Sequence, residues 1–110
     1  MSVAIRQDQL WWDAFEALWL TPCECCGMEF AWKDSQLGCQ MFLSMTGSGK
    51  ITPDNIAQVM DGLRRWRASK EWHERGGKFV MSVPTFLGWR RDGMPAAPRW
   101  SDRPQLKETF

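Results

Sequence analysis

The sequence predicts a mainly α-helical protein, a small three-helix bundle followed by an extended aromatic C-terminal segment. Apolar residues recur at spacings of three and four in three separate stretches, the signature of a helix with one buried face. Strong helix breakers, Thr21-Pro22, Gly47-Ser48-Gly49 and Gly76-Gly77, close those stretches. The length of 110 residues leaves room for one compact core. With 44% hydrophobic and 25% charged residues, the composition is that of a chain that folds.

The first helix is expected over residues 8–20. Asp8 can accept the unpaired amides of the opening turn, and Leu10, Trp11, Phe15, Leu18 and Trp19 follow at helical spacing. Thr21 and Pro22 end it, because a residue before proline is pushed out of the helical region. Residues 23–27 read as a short irregular loop. A second helix is expected over residues 32–45, with Leu37, Met41, Phe42 and Met45 on one face. Thr52-Pro53-Asp54-Asn55 supplies a capping hydroxyl, a proline at the first helical position and an acid in the first turn, so a third, long helix should run from Pro53 to about Glu74. Its apolar face is Ile56, Val59, Met60, Leu63 and Trp66, and Gly76-Gly77 stops it.

Residues 78–83 read as extended, and Pro84 opens a short turn or helix carrying Phe86, Leu87 and Trp89. Phe79, Val80, Phe86 and Leu87 are too apolar to stay in water and should fold back on the helices. The domain is therefore expected to span residues 1–93. Residues 94–110, with Pro95, Pro98 and Pro104 among polar side chains, are expected to form a mobile or partner-bound tail.

No stretch approaches the roughly 20 apolar residues needed to cross a bilayer, and the first residues lack the apolar run of a secretory signal, so a cytoplasmic protein is expected. In a reducing compartment four cysteines are thiols or metal ligands rather than a disulfide scaffold. The net charge of +1 hides an asymmetry. Residues 1–60 carry three Lys or Arg against seven Asp or Glu, and residues 61–110 carry eleven against six. Basic charge gathered in one half points to a polyanionic partner.

Gly47-Ser48-Gly49-Lys50 has the look of a phosphate-binding loop but fails its pattern. Ser44 stands where the first glycine belongs, and Ile51 where the magnesium-binding hydroxyl belongs. Cys23, Cys25, Cys26 and Cys39 with the lone His73 contain a C-x-x-C pair able to reach one zinc ion. Cys39 falls inside a helix and His73 lies far along the chain, so the expectation is a domain without metal, Cys39 being a small buried hydrophobe. No residue set has the spacing of a catalytic group: His73 lies beside Glu71 and Glu74 on a charged helix end, and no base is placed next to Cys25 or Cys26. No enzyme activity and no cofactor are expected.

The candidate binding residues are Arg64, Arg65, Arg67, Lys70, Trp72, Lys78, Trp89, Arg90 and Arg91. Cations interleaved with aromatic rings suit single-stranded nucleic acid, since cations meet phosphates and any base can stack on a ring. Eight tryptophans without a tyrosine strengthen that reading, with Trp66 assigned to the core and Trp72 and Trp89 as the more open rings.

Four runs carry a resemblance: Phe15-Glu16-Ala17-Leu18-Trp19, Trp66-Arg67-Ala68-Ser69-Lys70-Glu71-Trp72, Gly76-Gly77-Lys78-Phe79-Val80 and Pro84-Thr85-Phe86-Leu87-Gly88-Trp89-Arg90-Arg91. Together they resemble the C-terminal domain of phage replication-initiation and primosomal helicase-loading proteins, over residues 15–91 and most closely over 66–91. The resemblance implies a small helical bundle that contacts single-stranded DNA or a replicative helicase at the start of replication. The alternatives are a protein-interaction module, such as an inhibitor of a host protein, and a small zinc-stabilised domain.

Overall fold

The computed structural model describes residues 7–24, 26–89 and 97–106. Among them the protein is mainly helical, with no strand: α1 (Gln7–Leu20), α2 (Ser35–Gly47), α3 (Ile56–Arg67), α4 (Lys70–His73) and α5 (Val83–Leu87), plus 3₁₀ turns at Glu74–Gly77 and Arg99–Ser101. The core is aromatic. Phe15 is wholly buried, with ring centroids 5.5 Å from each of Trp12, Phe42 and Phe86. Trp19 extends the cluster to Trp72 at 4.9 Å, and Trp66 lies 6.2 Å beyond Trp72. Offset and tilted ring pairs of this kind add to the stabilisation from burial alone.

The three main helices form as expected, but their ends differ for traceable reasons. The second begins at Ser35, not at Trp32, because the carbonyls it would need point elsewhere: Trp19 Nε1 donates to Ala31 O at 2.8 Å and Val83 N to Lys33 O at 3.1 Å. The third starts at Ile56, not at Pro53, because Asn55 rather than the Thr52 hydroxyl organises the turn before it. Asn55 Oδ1 accepts from Thr52 N at 2.7 Å, and its Nδ2 donates to Lys50 O at 2.8 Å.

The long helix expected from Pro53 to about Glu74 is broken as well as shortened at its start. Ser69, fully buried and extended, donates its hydroxyl to Trp66 O and accepts from Trp72 N at 3.2 Å, ending one helix and capping the next. The break serves packing. Six residues at about 100° each would place Trp72 roughly 120° away from Trp66 on an unbroken helix, off the apolar face. Restarting at Lys70 turns Trp72 into the core, where it is wholly buried, although its indole N–H finds no acceptor among the described residues. Of residues 78–83, expected to be extended, 78–82 form a turn and an irregular connection and Val83 opens α5, capped by Ser82.

Residues 97–106 are not a loose tail. Trp100 is buried, Trp66 Nε1 donates to Arg99 O at 2.8 Å, and Arg65 reaches Trp100 O at 2.6 Å and Asp102 O at 3.2 Å. Further on, Lys70 N donates to Gln105 O at 2.8 Å and Ser69 pairs with Leu106 in an antiparallel bridge. The close approach depends on Gly62, since a methyl group there would overlap the Trp100 backbone. Gly38 likewise lets α2 lie directly on Val83 of α5.

Candidate functional site

The expected cation–aromatic platform is divided by the fold. Trp72 is in the core, so no base can stack on it. Arg67 is buried, donating to Thr21 O at 2.6 Å and Pro22 O at 3.3 Å, with its guanidinium 5.4 Å from the Phe30 ring. Arg65 is spent on the carbonyls of residues 100 and 102. These three are structural for a physical reason: a flat guanidinium satisfies several carbonyls at once, and an indole buries more apolar surface than it could cover outside. Arg90 and Arg91 lie outside the described residues.

Arg64, Lys70 and Lys78 remain exposed as expected. Arg64 pairs with Asp61 at 2.8 Å and Lys70 with Glu74 at 3.8 Å, both pairs half or more open to solvent or close to it. Two further cations join them, Arg75, which belongs to the same basic and aromatic run of the sequence, and Arg103, which spacing does not single out. Arg75, in the turn after α4 with φ of 48°, is exposed, its guanidinium 6.0 Å from the Phe79 ring. Arg103 is exposed on the segment held between Arg65 and the Lys70 backbone. Its position follows from docking of residues 97–106, which periodicity does not reveal.

Trp89 is half-buried and borders an open groove of about 290 Å³ lined by Met45, Lys50, Leu87, Pro98 and Trp100. The nearby Gly47–Lys50 run is not an anion loop. Its amides are used to close α2: Ser48 N donates to Ser44 O, Gly49 N to Thr46 O, and Lys50 N and Ile51 N both to Met45 O.

A second constellation lies between the loop after α1 and α4. Sγ of Cys23, Sγ of Cys26 and a ring nitrogen of His73 lie within 4.8 Å of one another. His73 Nε2 is 3.3 Å from Cys23 Sγ, and Nδ1 is 2.8 Å from Ser69 O, a carbonyl that can only accept. Nδ1 therefore carries a proton, and Nε2 is the ring nitrogen that faces Cys23 Sγ. Cys39 is not in this group. It sits on α2, where burial, and then the carboxylates of Glu16 and Asp13, push its thiol pKa up. Cys25 lies outside the described residues.

The chain matches no protein family, no curated protein and no solved structure. No described helix is long and apolar enough to cross a membrane.

Proposed function

We propose that the chain is a non-catalytic binding module that holds single-stranded DNA in the setting of replication initiation, through phosphate contacts rather than base stacking. The supporting observation is that Arg64, Lys70, Arg75, Lys78 and Arg103 are all exposed on adjoining pieces of the fold: the end of α3, α4, the turn after it and the docked segment 97–106. The ion pairs of Arg64 and Lys70 are no obstacle, because exposed pairs are worth only about 0.2–1 kcal/mol and phosphates can replace the carboxylates. Trp66 and Trp72 are core residues, so recognition is of the backbone and indifferent to sequence.

A salt titration tests this reading. Each neutralised phosphate contributes about −0.7 to the slope of log affinity against log salt, so five contacts give a slope near −3.5. Arg64→Ala with Arg103→Ala should flatten it by about 1.4. No binding at ~50 mM salt, or a slope unmoved by the double variant, overturns the reading. The groove beside Trp89 favours a second one, a protein-interaction module that takes an apolar side chain of its partner, whose affinity would change little with salt.

A further inference from the structure

We propose that Cys23, Cys26 and His73 bind one zinc ion, which fastens the loop after α1 to α4. The three donors come from parts of the chain fifty residues apart, yet all lie within 4.8 Å of one another. In a tetrahedral site with Zn–S near 2.3 Å and Zn–N near 2.0–2.1 Å, neighbouring donors stand roughly 3.5–3.8 Å apart. The 3.3 Å contact between Cys23 Sγ and His73 Nε2 is already close to that spacing.

The local structure orients each donor. Cys23 N donates to Met28 O at 2.8 Å and Gly27 N to Cys23 O at 2.7 Å, which brings Gly27 and Met28 back to Cys23 and leaves the Cys23 and Cys26 sulfurs within 4.8 Å of each other. Gly27 has φ of 71°, a conformation that a side chain would strain. His73 is held by the Ser69 carbonyl on Nδ1, the outer hydrogen bond that metal-binding imidazoles require to fix ring and tautomer. The Phe30 ring meets His73 edge-on at 5.5 Å and limits its rotation.

The donor chemistry selects the metal. Two thiolates and an imidazole suit zinc, whereas magnesium and calcium take oxygen donors. Binding releases a proton from each thiol, leaves the Nδ1 proton of His73 in place and makes a site of zero net charge, which can be tolerated beside the buried Cys23. Cys26 is exposed, so the ion can enter from solvent and a water can complete its coordination.

Cobalt(II) is the probe, titrated into the full chain after chelator treatment under reducing conditions. The proposal expects intense tetrahedral d–d absorption and a sulfur-to-cobalt charge-transfer band, saturating at one ion per chain and displaced by an equimolar amount of zinc. Cys26→Ser, at an exposed position, should weaken the charge-transfer band, and His73→Asn should change the d–d envelope. Cys39→Ser should alter neither. Chain that keeps its helical circular dichroism yet shows no charge-transfer band overturns the proposal. So does a band that Cys39→Ser removes and Cys26→Ser leaves intact.

Discussion

A guanidinium taken out of water must find acceptors, and Arg67 finds them for Nη2 where α1 has run out of its own donors, while its buried Nε has none among the described residues. The carbonyls of Thr21 and Pro22 follow the last turn of α1, and Arg67 donates to both while lying against Phe30. Phe30 in turn packs on Trp72 and His73, so one side chain organises the whole lower end of the bundle. Charge-assisted hydrogen bonds of this kind are worth about 1.5–3 kcal/mol. Arg67→Ala should therefore lower stability to chemical denaturation by about that amount and leave the salt slope of DNA binding unchanged. Arg64 is the contrasting residue, half-exposed with only an open ion pair to Asp61, and its removal should do the reverse. A variant at Arg67 that keeps full stability but binds DNA more weakly contradicts the division of roles. In sequence the two arginines look alike. What separates them is which side of α3 faces Phe30, and that depends on a loop with no periodicity of its own.

At the scale of elements, α3 is a platform for residues 97–106. Its spacing is legible in the sequence, since Val59, Leu63 and Trp66 form one buried row. Gly62 on the same helix is not legible as a contact. It is buried against Trp100, and its missing side chain is what lets the chain cross there. Two opposing effects decide the result of Gly62→Ala. Alanine is the better helix former by about 0.8–1 kcal/mol. The added methyl would overlap the Trp100 backbone, and overpacking costs about 1–3 kcal/mol. The clash should win, lowering the thermal midpoint. Truncation after Gly93 should lower it further, by more than about 10 °C, since burial of Trp100 and the hydrogen bonds from Arg65 and Trp66 are lost together. A truncated chain that melts within a few degrees of the full one would mean that residues 97–106 only rest on the bundle. The break between α3 and α4 is equally hidden in sequence, because Ser69 reads as an ordinary helix residue until its burial makes it a cap. Proline among polar residues suggests a tail over residues 94–110, and a single buried tryptophan with backbone acceptors at residues 99, 100, 102 and 105 is enough to override that composition.

For the whole molecule, the helical class follows from spacing and breakers, while both candidate sites depend on long-range closure. The C-x-x-C pair and His73 are separately visible in the sequence, but only the turn of α4 toward the loop brings them together. The charge asymmetry is visible too. The fold then buries Arg67 and Trp72, ties Arg65 to backbone carbonyls, and leaves Arg75 and Arg103 exposed. On the proposed function, the exposed cations then meet phosphates without a stacking platform, and the docked segment contributes Arg103 to that contact. The most direct measurement is ¹H–¹⁵N NMR of the full chain titrated with a short single-stranded oligonucleotide of mixed sequence. Backbone amides at Arg64, Lys70, Arg75, Lys78 and Arg103 should shift together and saturate together, while those of Met45 and Leu87 beside the groove stay in place. Shifts confined to the groove, or no shift at all with folded protein, would contradict the account.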